Sequence, residues 1–132
     1  VNLASRLEGA NKQYGTLIML SEFTHEAAKD VIEVRELDRI RVVGRKKPVV
    51  VYELLSRKGD LDPKRKETIE VYLEGLMAYK ERRYEEGLRW FKKALEIDPN
   101  DSPSKTYISR CEGFKINPPP KDWDGVYEML TK

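Results

Sequence analysis

The chain has 132 residues, enough for one ordinary domain or two small ones. Charged residues make up 36% and hydrophobic ones 39%, which suits extensive helix surface over a modest core and excludes a disordered polymer. The 25 basic and 23 acidic residues are interleaved to a net charge of +2, so no single-sign field is available to recruit nucleic acid or a membrane.

The single cysteine, Cys111, excludes an internal disulfide framework and a thiol-rich zinc site, and fits a reducing compartment. No apolar run approaches the roughly 18–20 residues that span a bilayer, and no signal segment opens the chain. The segment is therefore expected to be soluble and cytoplasmic. It starts at Val1, inside what reads as a helix, so further sequence is expected upstream.

In chain order, Leu3, Leu7 and Ala10 stand at helical spacing over residues 1–14, and Gly15 closes that helix. Residues 16–20 are a short β-branched and apolar run that predicts a strand ending at Ser21. Ser21 then begins a helix to about Lys29, with Glu22 and Glu26 in the first turns where the helix dipole favours acid. From Ile32 to Val43 the period changes to two: Ile32, Val34, Leu37, Ile40 and Val42 are interleaved with Glu33, Arg35, Arg39 and Arg41. A turn at 44–47 and a second strand at 48–55 complete a hairpin. Such a piece has too few strands to close its own core, and its open edges predict self-association or rearrangement of the first 55 residues.

Residues 57–66 read as a polar linker with Gly59 and Pro63. Beyond it, 67–82 and 84–97 are amphipathic helices joined by a very short turn that forces them antiparallel. Leu73, Leu76, Met77 and Tyr79 are expected to meet Leu88, Phe91, Ala94 and Leu95. Ser102 or Ser104 caps a third helix to about Gly113, with Ile108 and Phe114 packing it back. Pro118, Pro119 and Pro120 enforce an extended tail, in which Trp123, Val126, Tyr127 and Met129 offer apolar groups to bury. The expected organisation is 1–56, linker 57–66, helical module 67–117 and Pro-rich extended tail 118–132. The fold class is α+β, a partial sheet with helices followed by an all-α hairpin with a third helix.

The strings VNLASRLEGANKQYG, TLIMLSEFTHEAAKD and ELDRIRVVGRKKPVVVYEL resemble the C-terminal portion of class III adenylate and guanylate cyclase catalytic domains along residues 1–55. The sharpest element is Asn2 and Arg6, whose spacing of four puts both side chains on one helical face. On spacing alone they are exposed helix residues; the resemblance implies more. In that family the ribose 3′-hydroxyl attacks the α-phosphate and expels pyrophosphate. Arg6 would then stabilise the charge that develops on the phosphate oxygens, and Asn2 would orient the ribose.

The resemblance also implies two magnesium or manganese ions in the parent protein, held by aspartates upstream of this motif. The chain itself carries neither these ligands nor a metal site, and by itself is expected to be catalytically incompetent. Many family members have a lysine in a VKGK-like string that contacts the triphosphate; here Val42, Val43, Gly44 and Arg45 stand there, with Val43 at the lysine's place. Arg45 either substitutes as a substrate-binding group or, more simply, joins Lys46 and Lys47 in a solvated hairpin tip.

Gly75, Tyr84, Gly87, Phe91, Ala94 and Pro99 fall at the spacing of a tetratricopeptide repeat, although Ala78 stands where the repeat often has an aromatic. One repeat of roughly 34 residues is present where about three are normally required, so it must lean on the third helix, the tail, the cyclase part or a second chain. His25 is expected to be exposed rather than a ligand, Cys111 to be a packing residue, and Trp90 and Trp123 to be apolar anchors.

The implied partners are ATP, with GTP as the alternative nucleotide, a second copy of the parent through the cyclase domain, and a protein ligand for the helical module; no nucleic acid is expected. A membrane anchor upstream is left open. The rival reading, from a different class, is a protein-interaction or regulatory module carried on a degenerate cyclase platform.

Overall fold

A computed structural model describes residues 18–41 and 47–126, and the backbone of Tyr127 and Glu128. The expected first helix and the hairpin tip at 42–46 lie outside the described residues. The described residues divide into two compact units: those up to Leu61 together with those from Asp124 onward, and Asp62–Trp123. The class is α+β.

In the first unit, β1 (Met19–Ser21) runs into α1 (Glu22–Ala28), followed by the long strands β2 (Ile32–Arg41) and β3 (Val49–Arg57). The helix starts where it does because the Ser21 hydroxyl accepts the Thr24 N–H at 3.3 Å, satisfying one of the orphan donors of the first turn. Strands β1 and β2 each pair antiparallel with β3. The β2–β3 ladder carries two irregularities, between Glu33 and Val34 and between Glu36 and Asp38, leaving Leu55 and Leu37 as extra residues.

The second bulge decides what is buried. It brings Asp38 onto the face that already carries Arg35, and opposite them β3 contributes Val49, Val51 and Glu53. The simple alternation expected from sequence, with Arg35 on the polar face, is therefore corrected: Arg35 is 2% exposed, while Ile32 and Val34 are half-buried. After β3, a turn with Gly59 at φ +85° is closed by the Asp60 N–H on the Arg57 carbonyl at 3.0 Å.

A fourth, two-residue strand, β4 (Tyr127–Glu128), adds to β2 in parallel, giving the order β1-β3-β2-β4. It is anchored by Asp124, which accepts the Val126 N–H at 3.0 Å and pairs with Arg41 at 3.2 Å. These contacts, the Val126 N–H first, hold the Asp124 carboxyl below its usual range. Val126 beside it is buried.

The second unit packs α2 (Pro63–Lys80), α3 (Tyr84–Ile97) and α4 (Ser102–Ile116) in sequence. Helix α2 starts four residues earlier than the apolar pattern suggests. Asp62 caps it through the Arg65 N–H at 3.2 Å, and Pro63 sits in the first turn, where a missing N–H costs nothing. Its inward face is Thr68, Ile69, Tyr72, Gly75, Leu76 and Tyr79. Leu76 and Tyr79 pack as expected, but Leu73 and Met77 are exposed, and Tyr72 and Ala78 take the buried positions instead. With 3.6 residues per turn, one face cannot hold both sets.

The core of this unit is aromatic: Tyr72, Tyr79, Tyr84, Phe91 and Tyr107 surround Leu76, Leu88 and Cys111, with Ile108, Phe114 and Trp123 packed against them. The Phe91 and Tyr107 rings stack at 5.2 Å, and Tyr79 meets Tyr107 edge-on at 4.8 Å. Each such pair contributes about 0.5–1.5 kcal/mol beyond its buried area. The α3–α4 corner is fixed by Asp101, which is 2% exposed, accepts the Ser104 hydroxyl at 2.6 Å and pairs with Arg65 at 3.4 Å.

The turn between α2 and α3 is tight because Arg82 adopts φ +64°. The Arg82 N–H reaches the Tyr79 carbonyl at 3.0 Å and the Arg83 N–H reaches the Ala78 carbonyl at 2.8 Å, the double closure of a Schellman end. A residue with a Cβ held there costs roughly 1–2 kcal/mol relative to glycine.

Candidate functional site

Asn2, Arg6 and Arg45, the residues to which the sequence assigns chemistry, lie outside the described residues, as does Val43. What is described is the support of the hairpin that carries residues 42–46. Its stems are in register to the last pair, Ile40 with Val49, and Lys47 at the edge of the tip is exposed.

That support contains a buried ion pair. Arg35 and Glu53 are direct cross-strand partners, and Arg35 Nε donates to Glu53 Oε1 at 2.7 Å with the two side chains 0% and 9% exposed. A buried guanidinium is tolerable only when paired. Because Arg35 and Glu53 are paired across the strands in this register, the pair opposes any slip of β2 against β3, which would carry one of them to the other face. Charges in both strands are visible in the sequence, but which arginine faces inward depends on the bulges.

On the opposite face, His25 of α1 packs against Tyr52, the two rings tilted by 32° with centroids 4.2 Å apart. The half-buried His25 is thus a packing residue, where the sequence suggested an exposed one. Burial first, then the carboxylates of Glu36, Glu22 and Glu26, push the Tyr52 phenol up and keep it neutral. Among the described residues no group of three or more His, Cys, Asp or Glu side chains converges to hold a metal ion, and no helix is long and apolar enough to cross a membrane.

In the helical unit, the surface beside the α2–α3 turn is the most elaborated. Arg82 donates to the carbonyls of Pro119, Pro120 and Lys121 at 3.3, 2.7 and 3.3 Å, and its guanidinium carbon stands 5.8 Å from the Trp123 ring centroid. Trp123 rests against Phe114 at 5.4 Å and Tyr79 at 6.2 Å. Trp123 is therefore the anchor the sequence suggested; Trp90 is half-buried, with Lys93 Nζ 5.4 Å from its ring centre. Cys111 is buried, and burial pushes its thiol up to about 12, as befits a packing residue.

Residues 70–101 match the family model described as Tetratricopeptide repeat, covering most of α2 and all of α3. Over 117 residues the chain is 38% identical to the protein of Dictyostelium discoideum named "Adenylate cyclase, terminal-differentiation specific", covering 84% of this chain and 5% of that protein. It is 40% identical over 56 residues to "Adenylate cyclase 1" of Rhizobium meliloti (strain 1021), covering 42% of this chain and 8% of that one.

The chain is related to adenylate cyclases and carries a tetratricopeptide-like repeat. No solved structure matches it significantly. The Dictyostelium alignment is longer than either compact unit, so the likeness of this cyclase-related chain to that relative includes residues of both. The chain spans less than a tenth of the length of each of these relatives.

Proposed function

We propose that this chain is the C-terminal end of a nucleotidyl cyclase catalytic domain, followed by an accessory helical module, and that its parent converts ATP into cyclic AMP and pyrophosphate. The observation that carries this reading is the 38% identity over 117 residues to a protein named as an adenylate cyclase. In the reaction the ribose 3′-oxygen bonds to the α-phosphorus as the bond to the pyrophosphate oxygen breaks. Arg6 stabilises the negative charge on the equatorial oxygens with its planar fork, and Asn2 holds the ribose. By resemblance to the family, the two divalent ions of the parent are assigned to aspartates upstream of Asn2, without which this chain alone would be inactive. Two copies of the parent form the working unit, with Asn2 and Arg6 completing a site whose metal ligands belong to the other copy.

The purified parent, assayed with ATP and with GTP in the presence of manganese, tests the reading. Cyclic AMP from ATP supports it, and cyclic GMP from GTP would change the nucleotide. A folded parent that makes neither would favour the rival reading of an interaction module on a degenerate platform, for which the specific observation is the constructed surface around Arg82.

A further inference from the structure

Arg82 holds a conformation that glycine would hold without strain, and its side chain reaches a segment 37 to 39 residues away in sequence. An outlier of this kind is accounted for when the side chain has work that glycine cannot do. Here it reads main-chain carbonyls. Proline fixes φ and removes the N–H, so Pro118–Pro120 present carbonyls from a backbone already extended, at little entropic cost. At Pro120 the course changes: its carbonyl accepts the Trp123 N–H at 3.0 Å as well as the Arg82 fork, and this turn returns the indole onto Phe114 and Tyr79. Lys121 and Asp122 at the turn are exposed. Residues 117–123 are thus held as a peptide ligand is held, by a cation on their carbonyls and an aromatic anchor on an aromatic floor.

We propose that the surface formed by Arg82, Tyr79 and Phe114 is a receptor for an extended proline-rich segment ending in a turn with tryptophan, and that residues 117–123 occupy it in cis. An external segment of the same chemistry from a partner protein binds when this strap is released. The tether gives the strap a high effective concentration, so it acts as a competitive gate on the partner. The proposal does not depend on the cyclase reading.

The probe is a fluorescein-labelled synthetic peptide of residues 117–123, titrated by anisotropy into the full chain and into its Trp123→Ala variant, whose own strap has lost its anchor. The variant is expected to bind the peptide at least about tenfold more tightly than the wild type, in which the site is occupied. Adding Arg82→Gly, which suits φ +64° and so preserves the helix end, should return binding to the wild-type level or below. Equal binding to all three chains, or none to a folded Trp123→Ala chain, overturns the proposal. Should that variant not fold, a Trp90→Phe chain leaves Trp123 as the single fluorescent tryptophan. There Arg82→Gly is expected to raise acrylamide quenching and red-shift the emission; unchanged quenching overturns the proposal equally.

Discussion

Gly75 of α2 and Phe91 of α3 are fitted to each other: a Cβ on Gly75 would stand 2.8 Å from Cε1 and 2.9 Å from Cζ of the Phe91 ring. The ring cannot easily give way, since Tyr72 lies edge-on to it at 5.7 Å and Tyr107 stacks on it at 5.2 Å. Gly75→Ala gains roughly 1 kcal/mol of helix propensity but forces an overpacked contact. A net loss of about 1–2 kcal/mol in urea denaturation is expected. Gly87→Ala should differ in sign. Its added carbon would meet the Cys111 sulfur and the Gly75 carbonyl oxygen at 3.5 Å, ordinary van der Waals contact, so the outcome is neutral to about 1 kcal/mol more stable.

The Arg35–Glu53 pair predicts an asymmetric response to mutation. Glu53→Ala leaves a buried guanidinium without this partner and should cost about 3–5 kcal/mol, whereas the double change Arg35→Leu, Glu53→Leu should recover much of that loss. Both tryptophans lie in the helical unit, so the sheet is followed by far-UV circular dichroism rather than by indole fluorescence.

Cys111 makes stability depend on pH at the alkaline end. Its thiol is raised from 9.0 to about 12 by burial, so the folded chain keeps a proton that the unfolded chain releases. The contribution is whole below pH 9 and is lost as pH rises from 9 towards 12, at up to about 1.4 kcal/mol per pH unit. Cys111→Ala should flatten that part of the stability profile. In native chain at pH 8 the thiol should react with a disulfide reagent only at the rate of opening, and at once in denaturant.

Tyr84 has a buried hydroxyl without a hydrogen-bond partner among the described residues, and burial pushes its phenol up. Removing that oxygen leaves the ring packing against Tyr79 and Phe114 intact. Tyr84→Phe is therefore expected to be neutral or to stabilise by up to about 1 kcal/mol, read as a raised melting temperature.

The helical unit was the more legible in sequence because its contacts are local. Gly75, Gly87, Phe91 and Ala94 lie within two successive helices, and their spacing reports the packing directly. Phase was harder: Leu73 and Met77 are apolar yet exposed, since intrinsic hydrophobicity does not reveal which of two overlapping stripes a neighbouring helix covers. The start of α2 was written in Asp62 and Pro63, a cap followed by a first-turn proline, but the same residues also read as a linker. Long-range features left little trace. The two-residue β4, the inward turn of Arg35 and the reach of Arg82 to Pro120 depend on bulges and on chain segments far apart in sequence. The left-handed conformation of Arg82 was hidden because arginine, unlike glycine, does not announce it.

Cyclic AMP formation by the purified parent, wild type against Arg6→Ala, tests the role proposed for Arg6 most directly. Loss of at least about a hundredfold in turnover, with folding and self-association unchanged, is the result predicted for a cation that stabilises the α-phosphate in the transition state. An Arg6→Ala parent that cyclises ATP at the wild-type rate would contradict it.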